Sequence, residues 1–381
     1  MKIYYVANAR MPNEKAHGIQ IAKMCEALIL EGADVELIVP GRRGSSESLK
    51  SFYHLAVDVP LKKLAVLDLY LSGRFLYGVS SMSFSFLYLL FLFTRKLRGE
   101  NFILYTIDID TVGYALLPLL NVPLFSEMHM ARKRTLGTKL LFKGVQGIIA
   151  INKQIVDELK GDFASSSTGY LVAPNGVDHS LFTPKDEHDA RTELGLPTDI
   201  KIVLYTGRFL DWKGIEILTL VAENLDANTY MYLVGGTKEE YETVAKCPAS
   251  SRMIFEGEQP YTSMPNWLSA ANVLIVLGTK RDIQSYAYTS PMKLFEYLAM
   301  GKPIVASGTP AIREIVSEKE VFFYEPDNVA DMTSAIRTAL TDSVASAAHA
   351  QAALELSRSF SWSGRAERVL AFVAETQSAV G

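Results

Sequence analysis

Short apolar runs alternate along the chain with longer amphipathic stretches. In the first half the runs are KIYYVAN (2–8), DVELIVP (34–40), FILYTI (102–107), LFSEMH (124–129) and GIIAI (147–151). Such brief, nearly continuous apolar runs, rich in β-branched and aromatic residues, predict strands buried on both faces. Between the first two, the spacing predicts a helix over 19–31 that stops at Gly32. After Asn175 the alternation restarts with IVLYTG (202–207), TYMYLVGG (229–236), RMIFEG (252–257), NVLIVLG (272–278), KPIVAS (302–307) and EVFFYE (320–325). Strands separated by helices predict parallel, doubly wound sheets, and the restart predicts two of them, an α/β protein. The junction reads in YLVAPNGVDHSLFTP (Tyr170–Pro184), a β-run followed by Pro-Asn-Gly turn chemistry. It divides the chain into domains 1–172 and 173–360. The tail, FSWSGRAERVLAFVAETQ (360–377), predicts a helix with apolar positions at Ala366, Val369, Leu370 and Val373.

Length agrees, because 381 residues exceed one ordinary core. The chain is 49% hydrophobic and 21% charged, the composition of a soluble globular protein. A net charge of −4 gives no global electrostatic case for nucleic acid as a partner. Cys25 and Cys247 lie far apart, and Met1 leads straight into a strand, so the expectation is a reducing, cytoplasmic setting. The segment FLYGVSSMSFSFLYLLFLF (75–93) carries no charge and is flanked by Arg74 and by Arg95, Lys96 and Arg98. Its length would reach across a bilayer, but its four serines and Gly78 favour a core helix of the first domain. Docking on a membrane surface through 75–98 is the other reading.

The chemistry concentrates in the second half. GRFLDWKG (207–214) places Gly207, Arg208 and Lys213 at the carboxyl end of a predicted strand, where open α/β sheets bind ligands. Two fixed cations suit a diphosphate; the plain alternative is a solvated loop in which Asp211 pairs with one of them. Gly235, at the end of the next strand, allows backbone to approach a ligand closely. In SPMKLFEYLAMGKP (290–303), Ser290 is read as an N-cap and Pro291 as the first helical residue, so the helix start is a candidate anion site. Lys293 and Glu296 share one face, with Leu294 and Leu298 toward the core. The bland reading is an ion pair worth roughly 0.2–0.5 kcal/mol. The sharper one points Lys293 at phosphate and Glu296 at vicinal hydroxyls such as those of a ribose.

PNGVDHSLFTP, GRFLDWKG and SPMKLFEYLAMGKPIVAS, in this order and spacing, resemble the retaining family 4 glycosyltransferases (glycosyl transferases group 1). The resemblance covers nearly the whole chain and is strongest over 170–316. It implies the GT-B fold: two Rossmann-like domains facing across a cleft, with a last helix, 361–380, crossing back to the first. It implies a nucleotide-diphosphate sugar, UDP- or GDP-linked, held by the second domain, with Arg208 and Lys213 on the diphosphate and Glu296 on the ribose. In the first domain it implies that Gly18, in KAHGIQIAKMCEAL (15–28), lets amides near the donor phosphates. It also implies that His129, in FSEMHMAR (125–132), lies against the donor sugar. His17, Glu127 and Asp110 are read as acceptor-side. Two departures stand out. The family commonly has a glutamate eight residues before the helix glutamate, where this chain has Tyr288. Asp108 and Asp110 form a D-x-D such as holds metal in glycosyltransferases of the other main fold, though no metal is expected here.

The reading is a retaining, metal-independent hexosyltransferase that needs no cofactor beyond its co-substrate and works on a lipid-linked or cell-envelope saccharide at the cytoplasmic membrane face. No residue stands out as a covalent nucleophile or as one of a carboxylate pair. A sugar-nucleotide epimerase or a non-catalytic nucleotide-sugar binding subunit is the alternative. A nicotinamide dehydrogenase is disfavoured, because neither half has G-x-G-x-x-G after its first strand.

Overall fold

A computed structural model describes residues 1–43, 45–67, 74–107, 116–163 and 168–380. The chain packs as two units: Met1–Pro174 with Trp362–Gly381, and Asn175–Ser361. Each is built on one parallel sheet, and together they form an α/β protein of two Rossmann-like domains.

The first unit holds β1 (Lys2–Val6), β2 (Asp34–Pro40), β3 (Leu61–Leu64), β4 (Ile103–Ile107), β5 (Leu124–Met128), β6 (Gly147–Ala150) and β7 (Gly169–Val172). Their order is β3-β2-β1-β4-β5-β6-β7, with Ile3 paired to Val35 on one side and Ile103 on the other. The order reverses beside β1, so a crevice forms at the carboxyl ends of β1 and β4. Every observed strand lies within a predicted run or ends a residue or so from it, except β3. Its LKKL sequence, with two exposed lysines, is an edge strand guarded by charge and gives no apolar signal.

The second unit holds β8 (Lys201–Thr206), β9 (Thr229–Val234), β10 (Met253–Phe255), β11 (Val273–Val276), β12 (Ile304–Ser307) and β13 (Phe322–Tyr324), in the order β10-β9-β8-β11-β12-β13. Its switch point falls at β8 and β11. Apolar clusters cover both faces of this sheet, one around Leu204, Leu274 and Phe295, the other around Val203, Ile275 and Met332.

Five helices bear on function: α1 (Ala16–Leu30), α2 (Arg74–Leu97), α3 (Leu136–Gly144), α4 (Met292–Leu298) and α5 (Trp362–Val380). Helix α1 starts three residues before the predicted bound. It ends at Glu31, with Gly32 at positive φ as its stop. Helix α5 belongs to the first unit, where Ala366, Val369 and Val373 are buried as the periodicity predicts. Leu370 is half-buried; the seat beside β5 goes to Phe372, whose ring packs edge-on to Phe125 at 6.0 Å.

Helix α2 departs from the core-helix expectation. Phe84, Tyr88 and Leu92 turn inward with Ser80, Ser81 and Ser85, while Met82, Phe86, Leu90, Phe93 and Leu97 are 48–71% exposed. By length and composition Leu76–Leu97 suffices to cross a membrane, and 33% of its most apolar window is buried. The serines make room for close packing on the sheet, and the bulkiest apolar groups are left outside.

Candidate active site

In the second unit the site starts from two backbone positions. Gly207 ends β8 at φ +108°, and Gly235 ends β9 at φ +128°. A Cβ on Gly235 would lie 2.7 Å from the Gly207 carbonyl carbon, so the second glycine is needed by its neighbour's backbone rather than by a ligand. A Cβ on Gly207 would lie 3.2 Å from Lys293 Nζ, which brings α4 to the strand end.

Three cations gather there. Arg208 is exposed, while Lys213 and Lys293 are half-buried. Burial, with the charge of Arg208 added, lowers Lys213 to about 8. Burial also holds Lys293 well below the ordinary lysine value, and the charge of Lys213 adds to it. Among the described residues none of the three forms an ion pair. Asp211, the sequence's candidate partner, instead accepts from the Trp212 N–H at 2.8 Å. Lys293 donates to the Thr206 carbonyl and lies 3.7 Å from the centre of the Tyr205 ring. The Lys293–Glu296 ion pair is therefore absent, because each group has a partner of its own.

Glu296 is buried and accepts from the Tyr261 hydroxyl at 2.9 Å. Burial raises its carboxyl to about 7, against that hydrogen bond and the charge of Lys293. Tyr261 sits on the 3₁₀ turn Tyr261–Ser263, and its phenol is an assignment the sequence offered no signal for. Leu294 and Leu298 are fully buried, and Tyr297 donates to or accepts from Thr206 Oγ1 at 2.9 Å, so α4 is fixed to the end of β8. The helix start differs from its prediction. Pro291 is the N-cap residue, Met292 begins the helix, and no side chain caps it. Ser290 lies one residue before, its carbonyl accepting from Asn175 Nδ2 at 2.9 Å, so it anchors the junction segment instead of capping. With seven residues, α4 is a short carrier of Lys293 and Glu296, not an anion site in itself. Tyr288 is half-buried on a π-helical turn, Gln284–Tyr288.

In the first unit Glu127 is a hub. Wholly buried, it accepts from Arg365 Nη2 at 2.8 Å, Gln20 Nε2 at 2.7 Å and Tyr105 Oη at 2.5 Å, and meets His129 Nε2 at 2.8 Å. Burial works to raise its carboxyl, but Arg365, His129 and Tyr105 outweigh it and hold it well below the usual range. The acceptor-side reading of Glu127 is thus corrected: its oxygens are sealed from solvent and taken up by α1, β4 and α5. His129 remains partly exposed, 6.3 Å from His17 between ring centres. Burial, then the neighbouring His129, lowers His17 to about 4, so its imidazole is neutral. Gly18 is corrected as well. Its N–H donates to the Lys15 carbonyl at 2.8 Å, and a Cβ there would meet Tyr53 Oη at 2.6 Å and Asn13 Nδ2 at 2.7 Å. Packing explains this glycine. Asp108 and Asp110 lie outside the described residues.

Two Rossmann-like parallel units, the second with a cationic strand end, define a fold shared with glycosyltransferases of the GT-B type. The chain is similar over 100% of its length, and of the other chain's, to the Anabaena protein Alr3699/HepE in complex with UDP-glucose, at TM-score 0.73 and 17% identity. Residues 200–342, within the second unit, match the family Glycosyl transferases group 1. Over 283 residues the chain is 26% identical to a D-inositol 3-phosphate glycosyltransferase of Xylanimonas cellulosilytica, covering 66% of each protein. Over 224 residues it is 24% identical to the putative teichuronic acid biosynthesis glycosyltransferase TuaC of Bacillus subtilis, covering 55% of this chain and 52% of that one. The match thus spans about half to two thirds of these relatives' length.

Proposed function

We propose that the protein is a retaining glycosyltransferase of family 4 that moves a hexose from a nucleotide-diphosphate sugar to a hydroxyl of a lipid-linked or cell-envelope saccharide. The carrying observation is the trio Arg208, Lys213 and Lys293 at the end of β8 with no anionic partner among the described residues. Lys213 and Lys293, half-buried and repelling each other beside the exposed Arg208, are costly unless an anion joins them, and a diphosphate brings that charge. Tyr261-held Glu296 is the acceptor for ribose hydroxyls, and Tyr288 meets the sugar where a carboxylate would otherwise stand. His129, oriented by Glu127, and neutral His17 serve the sugar and acceptor side.

As the bond from the anomeric carbon to the diphosphate oxygen breaks, the cations stabilise the charge growing on the leaving group. The acceptor oxygen bonds to the same face of that carbon, and its proton passes to the departing phosphate. The protein supplies position and charge; no metal and no cofactor take part. The UDP-glucose complex of the Anabaena protein supports a UDP-linked donor, and the polymer named for TuaC supports an envelope acceptor. We place the enzyme in the cytoplasm, at the inner membrane face.

A thermal-shift and calorimetry screen across UDP-, GDP- and ADP-sugars tests this. Arg208→Ala weakens donor binding about 10- to 100-fold, the scale of one charged hydrogen bond. Retention of full affinity in both Arg208→Ala and Glu296→Ala would refute the site. Sugar transfer to an acceptor, rather than release of an altered sugar nucleotide, separates this reading from an epimerase, and turnover separates it from a binding subunit.

A further inference from the structure

We propose that the first unit carries a composite membrane-binding face, built from α2, the 3₁₀ turn Leu117–Leu120 and α3, and selective for anionic lipid. This rests on the reading above only in placing the acceptor at a membrane. The outward stripe of α2, at Met82, Phe86, Leu90, Phe93 and Leu97, steps by three and four residues and so forms one face about 23 Å long. The sequence pointed to that helix alone. The structure adds a second patch: Leu116 and Leu119 are 48% and 79% exposed at the 3₁₀ turn, and Leu136 and Leu140 are 76% and 41% exposed on α3.

The turn joins the two helices. Lys96 of α2 donates to the carbonyls of Leu120 at 2.6 Å and Asn121 at 3.3 Å. At the other side, Gly144 of α3 packs so closely on Pro118 that a Cβ would lie 2.3 Å from that ring. Leu119 stands between these two contacts. Large apolar side chains this exposed, on three elements joined in this way, mark an interaction surface.

Charge identifies the occupant. Residues 74–98 and 130–144 contain nine lysines and arginines, four in the first stretch and five in the second, and no aspartate or glutamate, in a chain whose net charge is −4. Arg95 is held by Glu100 at 3.0 Å. Arg98, Lys133, Arg134, Lys139 and Lys143 are exposed and, among the described residues, form no ion pair. On α3, Lys139 and Lys143 are one turn apart beside Leu136 and Leu140, so apolar and cationic groups lie together. A protein partner's interface is depleted in lysine at its centre, whereas apolar side chains ringed by cations suit a bilayer with anionic headgroups.

The test is co-sedimentation of the full chain with vesicles of phosphatidylcholine alone and of phosphatidylcholine mixed with phosphatidylglycerol. Binding is expected to the mixed vesicles, weak on the neutral ones, and to fall with salt as surface attraction is screened. Lys139→Glu with Lys143→Glu lowers partition onto the anionic vesicles at least 25-fold, about fivefold for each cation lost. Phe86→Glu with Phe93→Glu and Leu119→Glu with Leu136→Glu each reduce it by a similar factor. All variants should bind nucleotide like the parent, which shows they are folded. Unchanged partition in the Leu119/Leu136 pair would overturn the composite face. No vesicle binding by the parent would overturn the whole proposal, as would concentration-dependent self-association that these variants abolish. Nucleotide binding without vesicle binding would leave the glycosyltransferase reading standing and remove this one.

Discussion

At the scale of single residues, the candidate site is a matter of protonation. Glu296 lies near 7 because burial disfavours its charge, and the Tyr261 hydroxyl opposes that. The groups around it are Lys293 on its own helix, Tyr261, and Asp178 and Tyr297 within electrostatic reach of that set. Vicinal hydroxyls donating to the carboxylate would favour its charged form, so binding of a nucleoside diphosphate near pH 7 should release a proton. Calorimetry in buffers of different ionisation enthalpy reads this directly. Tyr261→Phe removes the opposing hydrogen bond, shifts ionisation to higher pH, and should weaken nucleotide binding several-fold at neutral pH while leaving pyrophosphate binding unchanged. Lys213 works at the other limb: with its ammonium lowered to about 8, the charge is present below that value and lost above it. Affinity for a diphosphate should therefore fall as pH rises from about 7 to about 9, and a flat profile would exclude Lys213 from the phosphate site.

At the scale of elements, the joint between β8, β9 and α4 depends on close backbone approach. Gly235→Ala adds a Cβ against Gly207 at a φ that alanine avoids, so it should cost about 2 kcal/mol or more and displace Lys293's neighbourhood. Urea unfolding measures the first effect and donor affinity the second. The glycine was legible as a strand-end signal, but its partner was not, because that contact joins two strands separated by a helix. The same limit applies to α4. The Ser-Pro signature located the helix, yet Ser290 turned toward Asn175, a residue 115 positions away.

For the whole molecule, the return of the chain is fixed by a buried charge pair. Arg365 on α5 joins Glu127 and also donates to the Pro174 carbonyl at 3.0 Å, both groups of the pair being shut from water. Arg365→Met strands a buried carboxylate and should cost about 3–5 kcal/mol at neutral pH. The folded-state carboxyl of Glu127 lies below its unfolded value, so its contribution is present above the ordinary carboxylate range and is lost as pH falls. The stability gap between parent and variant should narrow toward about pH 4, and a gap independent of pH would remove Glu127 from the account. Arg365 was passed over in the sequence because a charge among apolar positions of a terminal helix reads as a solvated face.

The sequence by itself determined the two parallel sheets, every strand but β3 to within a few residues, the last helix and the cations near residue 208. These follow from local periodicity and turn chemistry, which act over a few residues. The return of the last helix to the first unit was implied only by the family resemblance. Only the tertiary structure decided that Lys293 and Glu296 are not a pair, that Tyr261 holds the carboxylate, that Glu127 is sealed by Arg365, and that α2 turns its bulkiest groups outward. Each of these depends on which distant segment fills the space beside a side chain, and burial and partners of that kind are set by packing rather than by neighbours along the chain.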